Sequence, residues 1–107
     1  MNIKTNDQTK CILASVGLKN VYDPEIGLNV VDLGLIYELH FNEEALKLVC
    51  TMTLTTEFCP MGESITDGVK QSLLGTFFNY DVEVNLTFTP PWSYDCISEE
   101  GKEFLNM

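Results

Sequence analysis

The chain passes from a strand into a helix within one short stretch, Thr53-Leu54-Thr55-Thr56-Glu57-Phe58-Cys59-Pro60-Met61-Gly62-Glu63-Ser64. The residue before a proline is kept out of helical geometry, and proline is favoured at the first position of a helix. Cys59 is therefore predicted to be the N-cap of a helix that begins at Pro60. There its sulfur would lie near unpaired backbone N–H groups, which favour the thiolate. The acidic neighbours Glu57 and Glu63 oppose ionisation, so the charge of this thiol stays open.

Periodic patterns on both sides of this stretch predict the other elements. Residues 30–41 and 46–55 alternate between apolar and polar side chains and are joined by a turn, which predicts an antiparallel hairpin. After Cys59, apolar residues recur every four positions up to Phe77 and predict a helix as far as about Phe78. A third strand follows over 82–88. It should run parallel to the second strand because a right-handed helical crossover connects them.

Two further helices complete the prediction. The first spans about Asp7 to Val16, with Ile12, Leu13 and Val16 as its core-facing stripe. The last starts near Ser98. The predicted fold class is α+β: a two-layer sandwich in the order αββαβα, with a three-stranded mixed sheet and helices on one face. Residues 1–107 are interpreted as a single domain.

The charge balance excludes several classes of function. The chain has 16 acidic residues against six lysines and no arginine, and its net charge is −10. Nucleic acids and anionic membranes both require a basic surface, so neither is expected as a partner. No stretch reaches the ~20 apolar residues of a membrane span, and residues 1–7 lack the apolar core of a signal peptide. The sequence therefore predicts a cytoplasmic protein.

The predicted topology gathers several polar residues at one end of the sheet. Cys59 and the loop that contains Trp92 both follow parallel strands, so they should share that end. The start of the first strand adjoins the end of the second, which brings Asp23, Glu25 and Asp32 to the same place. Simpler roles stay open, because Asp23 could make an Asx-turn and Trp92 could cover the edge of the core.

The remaining thiols and the single histidine are less promising. No two of the four cysteines form a C-x-x-C pair, which argues against a zinc ribbon or a thioredoxin-like motif. Cys50 is expected in the core, and Cys11 is expected to be exposed or half-buried on the first helix. Cys96 lies in a loop that could reach back to Cys59. His40 is expected at the opposite end of the sheet, too far away to act as a base for Cys59.

Five segments form a pattern when taken in order: Val21-Tyr22-Asp23-Pro24-Glu25-Ile26, Val30-Val31-Asp32-Leu33-Gly34-Leu35-Ile36-Tyr37, Met52-Thr53-Leu54-Thr55, Cys59-Pro60, and Pro90-Pro91-Trp92 followed by Ser98-Glu99-Glu100-Gly101-Lys102. Together they resemble the SufT/PaaD-like family of metal–sulfur cluster biosynthetic proteins, which includes the eukaryotic cytosolic iron–sulfur targeting component. The resemblance covers roughly Ile12 to Leu105. The chain departs from the family pattern at Phe58, where glycine is common, at Cys96, where an apolar residue is usual, and at Gly101, where alanine is common.

The resemblance implies a non-catalytic role in maturing iron–sulfur proteins. It implies that Cys59 is the functional thiol, supported by Asp23, Glu25, Asp32, Thr55, Pro60 and Trp92. Cys59 is the expected ligand of a transient iron–sulfur cluster or metal ion, with Cys96 as an optional second ligand. The implied partners are an iron–sulfur scaffold or a P-loop ATPase carrier and client apoproteins, and a homodimer stays open.

Two other functions compete with this reading. The first is a metal-free adaptor that binds a cluster-carrier ATPase or a client protein through Trp92, Tyr94 and the acidic surface. The second is a thiol enzyme with Cys59 as nucleophile. The enzyme ranks last because the sequence offers no well-placed base and no arginine.

Overall fold

The computed structural model describes residues 3–56 and 62–106. Three α-helices, six strands and one short 3-10 turn are present in this part of the chain. In chain order these elements are β1 (Lys4–Thr5), α1 (Gln8–Leu18), β2 (Tyr22–Asp23), β3 (Leu28–Asn29), β4 (Ile36–Asn42), β5 (Lys47–Met52), α2 (Gly62–Thr76), β6 (Asp81–Leu86), the 3-10 turn (Tyr94–Cys96) and α3 (Glu99–Phe104).

The central pairings match the sequence prediction. β4 and β5 form an antiparallel hairpin, and β6 runs parallel to β5. Asn42 closes the hairpin turn by accepting a hydrogen bond from the Ala45 N–H at 3.0 Å. At the other end of the sheet, the Thr53 N–H donates to the Leu35 carbonyl and the Thr87 N–H to the Met52 carbonyl, each at 2.8 Å. The convergence of these strand ends, from which the candidate site was predicted, is thereby confirmed.

The prediction of a three-stranded sheet is wrong. The main sheet has four strands in the order β1-β4-β5-β6, and β2 and β3 form a separate two-stranded ladder. β1 adds in parallel to the outer side of β4. Asn6 extends this pairing, because its side-chain amide both donates to and accepts from the Phe41 backbone, at 2.7 and 2.9 Å. Two-residue strands carry no alternation, so the sequence pattern could not reveal them.

The first long strand starts later than predicted. Residues 29–34 form turns, in which the Leu33 N–H donates to the Asn29 carbonyl and the Gly34 N–H to the Val31 carbonyl, both at 3.0 Å. Gly34 has a φ of 76°, which favours glycine. β4 then begins at Ile36, with a register shift between Ile36 and Glu38. The alternation along residues 30–41 predicts Tyr37 on the core face with Leu39, and Ile36 on the polar face. The irregularity reverses this, because Ile36 is buried and Tyr37 is half-buried.

The core lies between the sheet and the first two helices. Ile65, Val69, Leu73 and Phe77 are buried along or just after α2, as the four-residue repeat predicts. On the sheet side the buried set is Leu39, Phe41, Leu48, Cys50, Met52 and Val82. α1 packs against α2, and α2 against β6. α3 is placed differently, because Gly101 lies against Leu28 and the Asp32 carbonyl rather than against the sheet.

The predicted core-facing stripe of α1 is wrong. Ile12, Leu13 and Val16 are 54%, 53% and 66% exposed. The buried residues of this helix are instead Cys11, Ala14, Ser15 and Leu18, so the expectation that Cys11 is at least half-exposed is also wrong. Three of these four side chains are small. Gly17 also faces α2, and a Cβ there would lie 3.0 Å from the Ser72 hydroxyl. Small side chains let the two helices approach closely, and this contact decides which face of α1 is buried.

We predict that Asn6→Ala lowers the free energy of unfolding by about 1–3 kcal/mol, because both hydrogen bonds to the Phe41 backbone are lost. Urea denaturation followed by circular dichroism measures the change. Asn20→Ala is the matched control, since Asn20 is exposed. A difference below about 0.5 kcal/mol between the two variants would show that the side chain of Asn6 does not hold the edge of β4.

Candidate functional site

Asp23 forms the turn between β2 and β3. Its Oδ1 accepts a hydrogen bond from the Glu25 N–H at 2.9 Å, and its carbonyl accepts from the Gly27 N–H at 2.7 Å. This is the Asx-turn that the sequence left open. Asp23 is only 1% exposed, whereas Glu25 is exposed. The two acidic residues therefore differ in role, since Asp23 shapes the turn and Glu25 presents its carboxylate to solvent.

Asp32 holds two parts of the chain together. Its Oδ2 accepts from the Asn29 side-chain amide at 2.7 Å, and its Oδ1 accepts from the Ser98 hydroxyl at 2.8 Å. The Asp32 carbonyl also accepts from the Ser98 N–H at 2.8 Å. Ser98 is the N-cap of α3, and its hydroxyl oxygen accepts from the Gly101 N–H at 3.0 Å. Asp32 thus fixes the start of α3 and does not merely begin a strand.

Further contacts join the same two segments, residues 29–37 and 90–98, which we call the clasp. The Trp92 Nε1–H donates to the Leu33 carbonyl at 2.6 Å, and the Tyr37 hydroxyl donates to the Pro90 carbonyl at 2.9 Å. Trp92 is half-buried and packs against the core, which confirms its expected position at the core edge. Its ring also contacts that of Tyr94, with centroids 5.4 Å apart.

Gly34 sits at the closest point of the clasp. A Cβ at this position would overlap the Cys96 carbonyl oxygen and would lie 2.7 Å from the Cys96 carbonyl carbon. The positive φ and this close approach both require glycine. Gly101 has a similar role in α3, because a Cβ there would lie 2.8 Å from Ile97. Glycine at position 101 therefore allows α3 to pack closely.

An open pocket of about 600 Å³ lies against the clasp and is lined among others by Lys19, Asp32, Tyr37, Cys96 and Glu99. Cys96 is half-buried at its wall. Burial raises the pKa of the Tyr37 hydroxyl, and the neighbouring Cys96 raises it further. This tyrosine is therefore a neutral hydrogen-bond donor at physiological pH, which suits its contact with the Pro90 carbonyl.

The structure thus brings together Asp32, Trp92 and Cys96. Asp23 and Glu25 connect to them through Asn29, which pairs with Tyr22 in the β2–β3 ladder. Thr55 is half-buried just beyond the end of β5. Cys59 and Pro60, and with them the predicted N-cap, lie outside the described residues.

Sequence reasoning missed Asn29, Gly34, Tyr37 and Ser98 as parts of this arrangement. The Asn29-x-x-Asp32 spacing was a usable signal, because Asn side chains commonly bond to backbone two or three residues on. The partners of Ser98 and Tyr37 lie 66 and 53 residues away in sequence and had no local signal.

Cys11 and Cys50 are both buried and are unsuited to metal binding or nucleophilic attack. Cys50 is fully buried, and burial raises the pKa of its thiol to about 12. Burial also raises the pKa of Cys11, against a smaller lowering effect of Ser15. Both remain protonated near neutral pH, whereas metal binding and nucleophilic attack need a thiolate. Within residues 3–56 and 62–106, no three His, Cys, Asp or Glu side chains are grouped as a metal site.

Comparison with known proteins identifies the family. Residues 16–86 match the family described as iron–sulfur cluster assembly protein. The chain belongs to this family. It is 44% identical over 89 residues to the Fe-S protein maturation auxiliary factor SufT of Staphylococcus aureus, covering 81% of this chain and 98% of that protein. It is 40% identical over 90 residues to the Fe-S protein maturation auxiliary factor YitW of Bacillus subtilis, covering 84% and 87%.

A solved structure supports the fold. A domain of unknown function from Bacillus anthracis superposes with a TM-score of 0.82 and 36% identity, covering 91% of each chain. The SufT/PaaD-like resemblance and the α+β class are thereby confirmed. In the part of the chain that the structure describes, no helix combines the length and the apolar character needed to cross a membrane.

We predict that Gly34→Ala lowers the free energy of unfolding by at least about 2 kcal/mol, because the Cβ adds backbone strain and overlaps Cys96. Gly75→Ala in α2 is the matched control. Nothing lies within 4 Å of its added Cβ, so a gain of about 0.5–1 kcal/mol is expected there. Chemical denaturation of both variants tests the pair. A Gly34→Ala protein as stable as the wild type would contradict the close approach.

We also predict that stability declines above pH 9 partly because of Cys50. Its raised pKa means that the folded state favours the protonated thiol, so its stabilising contribution is complete below pH 9 and is lost as the pH rises towards about 12. The expected contribution to the slope is about 1.4 kcal/mol per pH unit. Cys50→Ala should show a correspondingly shallower decline in urea titrations at pH 8.5–10.5. Parallel curves for the variant and the wild type would exclude this titration.

Proposed function

We propose that this chain is a non-enzymatic accessory factor that helps to assemble iron–sulfur clusters or to transfer them to apoproteins, acting through Cys59. The observation that carries the proposal is its similarity, over most of its length, to bacterial proteins named Fe-S protein maturation auxiliary factors. The proposal takes residues 1–107 as one such domain, located in the cytoplasm, where thiols stay reduced.

The burial of two of the other three cysteines supports the choice of Cys59 as the functional thiol. Cys11 and Cys50 are buried and held protonated, which leaves Cys96 as the remaining candidate ligand among the described cysteines. Iron–sulfur clusters commonly have four protein ligands. One chain would supply Cys59 and at most Cys96, so a second copy, a scaffold protein or a P-loop ATPase carrier would complete the site. We treat the cluster as cargo that is passed to a client apoprotein.

The acidic residues receive distinct roles within this proposal. Asp23 is buried in its turn, and both carboxylate oxygens of Asp32 accept hydrogen bonds in the clasp. We therefore propose both as positioning residues. Glu25 is exposed and is the one of these three carboxylates that is free to meet a cation or a partner. Thr55 and Pro60 would support the site on either side of Cys59.

A metal-free adaptor is the second candidate, favoured by the aromatic pair in the clasp. Tyr94 is 66% exposed, and its ring packs edge-on against Trp92. Exposed aromatic residues are common anchors of protein interfaces. In this reading Tyr94 contacts the carrier ATPase or the client, and Trp92 holds it in place. A thiol enzyme has less support, because His40 is exposed and pairs with Val49 away from the Ile36–Met52 end of the hairpin.

Anaerobic reconstitution with iron and sulfide tests the proposal. We expect wild type to retain iron and sulfide through gel filtration and Cys59→Ser to retain at least fivefold less. A missing thiolate removes one ligand, and serine is a poor replacement for a soft metal. Cys96→Ser, measured in parallel, shows whether this second candidate ligand takes part, and Cys11→Ser is the control for loss of a thiol outside the site. Equal metal content in Cys59→Ser and wild type would contradict direct handling of the cluster.

The two candidate functions separate in cells that lack the endogenous factor. Activity of an iron–sulfur client enzyme is measured after complementation with Cys59→Ser or Tyr94→Ala. Cluster handling predicts failure of Cys59→Ser, and the adaptor predicts failure of Tyr94→Ala with Cys59→Ser active. Tyr94 is the better probe because truncating Trp92 would also remove its hydrogen bond to Leu33.

A further inference from the structure

β6 is the outermost strand of the main sheet, and it has one open edge. The opposite edge of the sheet is formed by the two-residue strand β1, and among the described residues β6 pairs with β5 alone. The Asp81 N–H donates to the Leu46 carbonyl, and the Thr87 N–H donates to the Met52 carbonyl. In a parallel pair, alternate residues direct both backbone groups to the same neighbour. The N–H and C=O groups of Val82, Val84 and Leu86 therefore point away from β5, along the open edge.

A groove of about 390 Å³ runs beside this edge, between β6 and α2. It is lined by Thr66, Asp67 and Lys70 of α2 and by residues 81–84 of β6. Three of its side chains are carboxylates, those of Asp67, Asp81 and Glu83, against one lysine ammonium. Lys47 approaches Glu83 at 3.4 Å from β5, but both are exposed, and such pairs contribute little. The groove thus combines backbone groups that point away from β5 with a negative surface.

We propose that β6 accepts an extended, lysine- or arginine-rich segment of a partner protein as an additional strand. Main-chain hydrogen bonds to Val82, Val84 and Leu86 supply the pairing. Basic side chains on one face of the segment meet Asp81 and Glu83, and a basic side chain on its other face meets Asp67 of α2. This is recognition by strand addition, in which the backbone gives affinity and side chains give specificity. The carboxylates also disfavour uncharged or acidic strands at this edge.

The charge of this chain argues that the occupant is a different protein. A second copy would bring the acidic residues of two β6 strands together, each on a chain of net charge −10. No two of its six lysines lie closer than six residues apart, so it contains no basic segment of its own. The proposal is independent of Cys59 and of any cluster, so either can fail without the other.

A synthetic peptide tests strand addition directly. The probe is a fluorescent seven-residue peptide that alternates lysine with threonine or valine, titrated up to 1 mM by fluorescence anisotropy. The control is the same peptide N-methylated at alternate residues, which keeps every charge but loses the hydrogen-bond donors. We expect the control to bind at least about tenfold more weakly, since two or more hydrogen bonds are lost. Equal affinities, or no binding up to 1 mM, would overturn the proposal.

NMR locates the contact. In the complex, the amides of Val82, Val84 and Leu86 should shift and their hydrogen exchange should slow, because these N–H groups become bonded. Shifts confined to other surfaces would overturn the proposal. Cys59→Ser should bind the peptide as the wild type does, which separates this surface from the thiol function.

Two pairs of variants separate the contribution of backbone hydrogen bonds to peptide binding from the contribution of charge. Leu86→Pro removes an outward N–H from an edge strand, and Leu86→Ala makes a comparable truncation while keeping it. We expect the proline variant to bind the peptide about fivefold more weakly than the alanine variant.

The double variant Asp67→Lys with Asp81→Lys should lose at least about tenfold in affinity for the peptide. Glu44→Lys with Glu103→Lys changes net charge equally at exposed positions outside the groove, and an equal loss there would show non-specific attraction only.

Discussion

The backbone of Cys96 lies against Gly34 with no room for a side chain between them, and much of the candidate site depends on that approach. It sets the distance between the residues before β4 and the residues after β6. Once the two segments are this close, Trp92 reaches the Leu33 carbonyl and Ser98 reaches Asp32. Residues separated by about sixty positions in sequence thus form one surface. The start of α3 is placed by the same contact.

Hydrogen bonding within the clasp explains why several acidic and aromatic residues belong together. Asp32 accepts bonds from both Asn29 and Ser98, and Ser98 in turn caps α3. A carboxylate used in this way is costly to replace, since its loss removes the acceptor of the buried Asn29 amide and of the half-buried Ser98 hydroxyl. Asp23 and Asp32 therefore have structural roles in this fold. Glu25, whose backbone lies in the turn but whose carboxylate faces solvent, is the exception among the three acidic residues.

Patterns in the sequence predicted the long elements well, because the β4–β5 hairpin, α2 and β6 each carry a clear repeat. Shorter features were not predicted from the sequence, for physical reasons. β1 contains two residues and pairs through contacts with β4 that no local pattern encodes. On α1, hydrophobicity favoured Ile12, Leu13 and Val16 as the buried face, yet the close approach to α2 required small side chains. The convergence of Asp32 and the Trp92 loop followed from topology alone. The bonds that hold them, through Ser98 and Tyr37, depend on tertiary geometry.

The side chain of Asn6 has a consequence for assembly. It bonds to both backbone groups of Phe41, next to the two-residue strand β1, and so closes these groups to an incoming strand. A strand added on this side would have to pair with β1, which offers only Lys4 and Thr5. Very short edge strands are poor templates for pairing, so this side of the sheet is protected against edge-to-edge association.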